Sequence, residues 1–399
     1  MAVHAENAKG QTAGSGQFCS KCSAWLGHLG LEPTVEMFVQ HFVEICREIR
    51  RVLRPDGTFW LNIGDSYNGS GKGRSDRTDI QKERYVPSPD TPPTDVPGLK
   101  PKDLIGVPWR VAFALQEDGW WLRNDLIWAK GISGQADIGE KTYRAAKDAG
   151  CDSETAKKIA QSVGHYHGNS MPNSAEDRCA MSHEYIFLLT KSSHCYFDIE
   201  AIREPKKTEM DAYFTGLTQE TPEQEVEVRN PRSVWAIATQ GFKGAHFATF
   251  PIELAARAIR AGTSEKGCCP QCGAPYKRFV EQTESDWQER KKAGEPIRHG
   301  LKGAAASGAG GFKGRSKTGE HWEPTCKCDA GDPVPCVVLD PFMGAATTAA
   351  AASNQKCSCV GFEICSEYAE LAAQRFKEHL GIVGEMNDIL LEVVEEDVD

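Results

Sequence analysis

Cys336-Val337-Val338-Leu339-Asp340-Pro341-Phe342-Met343-Gly344-Ala345-Ala346-Thr347 is the stretch from which the fold of this 399-residue chain can be read. The apolar run Cys336 to Leu339 predicts a short strand, Asp340 to Ala346 a loop, and Thr347 to Ser353 an Ala-rich helix. Cys357 to Phe362 (CSCVGF) predicts a second strand ending at Glu363, and Glu367 to His379 a second helix. Strand, glycine-bearing loop, helix and strand make a βαβ unit, which places the chain among α/β folds with a doubly wound sheet. Such sheets bind ligands at the carboxyl ends of their strands, where this loop falls. Gly344 lets the backbone approach a ligand closely. Glu363, 19 residues after Gly344, stands where a carboxylate can take both hydroxyls of a ribose. GxGxxG is absent, so an adenosine ligand without phosphates fits better than a dinucleotide.

Working outward, Phe38, Phe42, Ile45, Ile49 and Leu53 recur at helical spacing, with Thr34 as N-cap and Pro55-Asp56-Gly57 as the stop. Thr58 to Ile63 reads as a strand leading into Gly64-Asp65-Ser66-Tyr67. A helix fits Pro108 to Gln116, strands fit Trp121 to Trp128 and Glu184 to Thr190, and a further helix fits Pro251 to Arg260. Between them, Asn68 to Lys100, Lys130 to Arg178 and Lys206 to Arg229 are polar and read as loop, helix-prone insertion and linker.

The stretch Asp340 to Thr347 resembles the DPFxGxGT signature of amino-group DNA methyltransferases, the N-4/N-6 DNA methylase family, with Ala346 where the family usually has glycine. The resemblance implies that Asp340, Phe342, Gly344 and Thr347 line a pocket for S-adenosylmethionine, with Glu363 on its ribose. The Ala346 departure is costly only if that backbone position needs φ > 0. His246-Phe247-Ala248-Thr249-Phe250-Pro251, followed by Leu254, is similar to the family segment that packs under the methionine end of the cofactor. That implies a cofactor contact for Phe250 and Pro251; read alone, the segment reads first as core packing, and its place about 90 residues before the Asp340 motif is what turns the reading toward the cofactor. Gly57 to Tyr67, Asn124 to Trp128 and Arg178 to Lys191 resemble phage and bacterial members, so the likeness runs from Trp25 to about Phe376. Because the cofactor signature comes last, the fold implied is a Rossmann-like, circularly permuted (beta-type) methyltransferase sheet. The natural places for target recognition are Gly131 to Gly168 and Asn68 to Asp95.

The activity implied is site-specific methylation of adenine N6 or cytosine N4 in double-stranded DNA. The amino nitrogen would attack the methyl group in line, without a covalent enzyme–base adduct. Only Cys336 follows a proline, and it lies in the cofactor strand, which argues against cytosine-C5 chemistry. The family orients the amino group with (Asp/Asn/Ser)-Pro-Pro-(Tyr/Phe/Trp), whose polar acceptors bind the amino hydrogens and whose ring stacks on a flipped base. This chain has no such tetrapeptide: Thr91-Pro92-Pro93-Thr94 lacks the aromatic residue. Asp65 and Tyr67 are the nearest chemical substitute, either as the catalytic loop or as a neighbouring pocket wall. The expectation is that the first strands, with the catalytic loop, precede Met1 in the complete protein. An alternative is a catalytically inactive DNA- or cofactor-binding remnant, and another is an RNA or protein substrate for the same fold.

The cysteines form a separate pattern. Cys269-Pro270-Gln271-Cys272 and Cys326-Lys327-Cys328 make CxxC…CxC, a ligand set suited to structural Zn²⁺, with Cys268 as a spare or alternative. Cys19 and Cys22 form a lone CxxC, half of a zinc knuckle. The polar start, Met1 to Gln17, lacks a secretory apolar core, and no apolar run approaches the ~18 residues needed to span a bilayer. A cytoplasmic protein without membrane contact is expected, in which paired cysteines hold metal more often than disulfides. The net charge of −10 leaves DNA contact to local basic stretches, Lys72 to Arg84 and Arg298 to Lys317. Residues 1–30 are assigned to a leader with the half knuckle, 31–130 to a catalytic half, and 131–180 to target recognition. Residues 181–262 complete the catalytic half, 263–330 hold the zinc-knuckle insertion, 331–384 the cofactor βαβ unit, and 385–399 an acidic tail. Oligomeric state is not legible.

Overall fold

The computed structural model describes residues 17–22, 24–27, 29–30, 32–68, 98–130, 147, 152, 176–205, 228–239, 249–282 and 317–381. The inserted segments expected to recognise the target, both basic stretches, the Pro-Pro dipeptide, most of the 206–229 linker, His246 to Ala248 and the acidic tail lie wholly or largely outside the described residues.

A two-residue pair, β1 (Gln17–Phe18) with β2 (Trp25–Leu26), precedes α1 (Val35–Val52). Thr34 caps α1: its Oγ1 accepts the Met37 N–H at 3.2 Å. Thr34→Ala is expected to cost about 1 kcal/mol in denaturant unfolding, because that first-turn donor is left without a side-chain acceptor. β3 (Thr58–Ile63), α2 (Val107–Glu117), β4 (Trp121–Ala129) and β5 (His183–Thr190) follow. Then come short β6 (Glu204–Pro205) and β7 (Val228–Arg229), β8 (Val234–Ala236) and α3 (Ile252–Gly262). Each helix and strand read from periodicity in this region is present, with ends shifted by a residue or two.

The main sheet has strand order β3-β5-β4-β8, antiparallel except for the parallel β4–β8 pair. β5 is its central strand and reads apolar on both faces because both are covered. Phe187 and Leu189 join Phe42, Cys46 and Ile49 of α1 and Val111 and Leu115 of α2 on one face. Ile186 and Leu188 join Trp128, Trp235 and Leu254 of α3 on the other. Burying these side chains contributes about 1.5–3 kcal/mol each, so the three-layer arrangement follows from the period-2 pattern of one strand.

The decisive βαβ unit forms as read. β11 (Val337–Asp340) pairs in parallel with β12 (Ser358–Gly361), and α4 (Thr347–Asn354) crosses between them, followed by α5 (Ser366–Leu380). α4 is made of small residues, so α3 lies close against it, Ala256 and Ile259 meeting Ala351 and Ala352. That contact joins the βαβ unit to the main sheet. Among the described residues β11 pairs only with β12 and β3 only with β5, so each keeps one edge without a strand partner.

One element went unread. Within the cysteine-bounded insertion, β9 (Tyr276–Gln282) pairs antiparallel with β10 (Lys317–Pro324). Their charged side chains hide the strands from a hydrophobic pattern, but ladder bonds come from the backbone. No helix of the described residues is long and apolar enough to cross a membrane.

Candidate cofactor site and cysteine cluster

The parallel pairing of β11 and β12 continues past the strand ends. Phe362 N–H donates to the Asp340 carbonyl at 3.0 Å, and Met343 N–H donates to the Phe362 carbonyl at 2.9 Å. This holds the Asp340–Ala346 loop beside Glu363. The Glu363 carboxylate then bridges the two segments: Oε2 accepts Gly344 N–H at 2.9 Å and Oε1 accepts Cys365 N–H at 3.1 Å. A carboxylate has about four acceptor positions, so two backbone bonds leave capacity for hydroxyl donors. Gly344 has φ +52°, and a Cβ there would meet only the Phe342 carbonyl oxygen, at 3.9 Å. The loop surface is therefore open at that point.

Asp340, Gly344, Thr347 and Glu363 are brought together, but two of their side chains serve the loop itself. Asp340 Oδ1 accepts Phe342 N–H at 2.9 Å and Oδ2 accepts the Thr348 hydroxyl at 2.5 Å, tying strand end to helix start. Thr347 is buried, and its Oγ1 accepts from Arg375 Nη1 at 3.0 Å. Arg375 also donates to the Ala345 carbonyl at 2.5 Å, and burial lowers the pKa of its guanidinium. This pin from α5 was missed in the sequence because nothing local marks an arginine 30 residues downstream. Phe342 faces α1, stacked on Phe42 with ring centroids 6.3 Å apart. Phe362 and Ile364, flanking Glu363 in sequence, are exposed apolar side chains. Phe250 packs against the Trp235 cluster, and Pro251 is fully buried at the start of α3.

Ala346 has φ +58° and ψ +29°. The substitution for glycine therefore carries the left-handed cost, about 1–2 kcal/mol for an L-residue. Ala346→Gly is expected to raise stability by about 1 kcal/mol, part of the relief being offset by the freer unfolded chain, as thermal unfolding would show.

Asp65 does not stand free at its strand end. Its carboxylate accepts Gly106 N–H at 3.0 Å and Val107 N–H at 3.1 Å, so it caps α2 from a distance. Tyr67 forms a bridge with Leu104, and the Arg178 guanidinium lies 3.6 Å over its ring. These partners tie the segment to the start of α2 and to Leu104.

The four cysteines of CxxC…CxC meet: the sulfur atoms of Cys269, Cys272, Cys326 and Cys328 all lie within 4.8 Å of one another. Gly273, at φ +68°, makes the tight turn, with its N–H donating to the Cys269 carbonyl at 2.8 Å. Backbone N–H groups, first that of Cys272, bring Cys269 down to about 7, while the neighbouring thiols, Cys272 foremost, push Cys328 up to about 12. Cys268 stands apart as neither spare nor alternative ligand, its thiol directed to the Pro335 carbonyl 3.6 Å away. Cys19 and Cys22 are exposed in the β1–β2 turn, and among the described residues no third ligating group joins them. Burial pushes Cys46, Cys336 and Cys359 up to about 12, as expected of thiols used as small apolar groups.

A family model described as DNA methylase matches residues 27–269 and 335–374. The type II methyltransferase M.SmaI of Serratia marcescens is 31% identical over 349 residues, covering 88% of this chain and 77% of that protein. M.Cfr9I of Citrobacter freundii is 40% identical over 237 residues, 59% of each chain. Thus the chain spans about three quarters of the first relative and under two thirds of the second. Among solved structures, a DNA modification methylase of Thermus thermophilus complexed with S-adenosyl-L-methionine aligns at TM-score 0.36 and 16% identity, over 86% of this chain and 78% of that one. The cytosine-N4-specific PvuII DNA methyltransferase aligns at TM-score 0.40 and 14% identity, over 89% and 73%.

Proposed function

Because the chain belongs to the DNA methylase family, we propose that it serves site-specific transfer of a methyl group from S-adenosylmethionine to adenine N6 or cytosine N4 of duplex DNA. The observation that carries the reading is the carboxylate bridge from Glu363 to Gly344 at the carboxyl end of the parallel pair. The site fits the cofactor: a carboxylate with remaining acceptor capacity, an open glycine-bearing loop, and the exposed Phe362 and Ile364 flanking Glu363 in sequence. When bound, S-adenosylmethionine supplies an electrophilic methyl group. Glu363 would orient the ribose, Gly344 would admit the backbone to close range, and Phe250 and Pro251 would support the wall under α3. Asp340 and Thr347 hold the loop in shape, and Phe342 secures it to α1.

The target amino group needs acceptors that hold its hydrogens while its nitrogen attacks. The Asp65–Tyr67 segment would form a wall of the base pocket. The late position of the cofactor loop supports a permuted order. The type II relatives support a role beside a restriction enzyme, in the cytoplasm.

Absence of the tetrapeptide favours a second reading for this chain by itself, cofactor or DNA binding without transfer. Transfer of labelled methyl to unmethylated duplex DNA, with cofactor binding measured on the same sample, separates them. Transfer places all acceptors within this chain. Binding without transfer supports the second reading, and loss of both refutes the site assignment.

A further inference from the structure

Four thiols that methyl transfer leaves unused converge at the base of the β9–β10 pair, and we propose that they bind one structural Zn²⁺ that clamps this pair to the turn entering β3. The ligands come from two turns that strand pairing makes neighbours. Cys269 and Cys272 precede β9, Cys326 and Cys328 follow β10, and the register sets Tyr276 opposite Pro324 between them. The Thr325 hydroxyl donates to the Pro275 carbonyl at 2.7 Å, closing the same base.

None of the four is in a disulfide. Zn–S bonds of about 2.3 Å in a tetrahedron give sulfur–sulfur edges of about 3.8 Å. That lies inside the 4.8 Å span of the cluster, so small side-chain rotations suffice. An all-thiolate set selects a soft or borderline ion over Mg²⁺ or Ca²⁺. With no carboxylate, imidazole or open position in the group, the role is structural.

The clamp runs in two directions. Arg54 Nη1 donates to the Cys272 carbonyl at 2.6 Å, and its Nε pairs with Asp56 at 2.9 Å in the turn before β3. The residue beside the first ligand, Cys268, exchanges backbone bonds of 2.8 and 2.9 Å with Val334, just ahead of β11. One ion thus fixes a node shared by the hairpin, the main sheet and the entry to the cofactor strand.

The test uses the full chain purified without chelator. Metal analysis is expected to find one zinc per chain, released in step with titration of four thiols. Co²⁺ in its place should give the sulfur-to-metal absorption of a four-thiolate site. Cys326→Ser should lose the stoichiometric metal, whereas Cys268→Ser should keep it. If the ligand variant does not fold, the Co²⁺ spectrum of the unmodified chain decides. Folded protein that binds neither ion, iron as the tightly held metal, or loss of metal in Cys268→Ser overturns the site. Arg54→Ala should keep the metal and lower Tm by a few degrees. An unchanged Tm overturns the clamp.

Discussion

Glu363→Ala is expected to weaken S-adenosylmethionine binding by about 10²–10³-fold in calorimetric titration, the largest effect of any single substitution at the site. Two losses combine. The ribose hydroxyls lose a charged acceptor, and hydrogen bonds to charged groups are worth about 1.5–3 kcal/mol. The loop also loses the bond from Gly344 N–H that holds it beside β12. Glu363→Gln keeps one acceptor oxygen and should fall between the two. Affinity that stays within about threefold for Glu363→Ala, about 0.65 kcal/mol, would remove Glu363 from the ribose site.

The second large effect is expected at Asp65. Asp65→Ala should lower unfolding stability by about 3 kcal/mol, because two N–H donors at the start of α2 lose a charged acceptor. α2 has no replacement: Gly106 offers no capping side chain, and the first turn holds no acidic residue. Asp65→Asn retains an acceptor oxygen and should recover about half of the loss. Activity lost with stability unchanged would instead put Asp65 in contact with the base, as a catalytic residue.

Asp65 also shows where reading by sequence stops. A carboxylate after a strand, followed by an aromatic residue, has the right chemistry for an amino-group site. Besides the adjacent Ser66 N–H, its partners lie 41 and 42 residues away, and only the folded chain shows that they take up the carboxylate. Ala346 shows the same limit in the backbone. Its volume suits the motif, but the sign of φ depends on how the loop must turn to meet α4.

Determined by the sequence alone were the βαβ unit, the α1 cap at Thr34, the strand at Glu184 to Thr190, and the grouping of two cysteine turns as CxxC…CxC. These depend on short-range spacing: helical and strand periods, capping offsets and tight-turn glycines act within a few residues. The tertiary structure alone decided the order β3-β5-β4-β8, the β9–β10 pair, the Arg375 pin on Ala345, and the Arg54 bond to Cys272 from 218 residues away. The physical reason is that a hydrophobic period states which face is buried but not what covers it. Charged side chains find partners only after chain closure has set their distances.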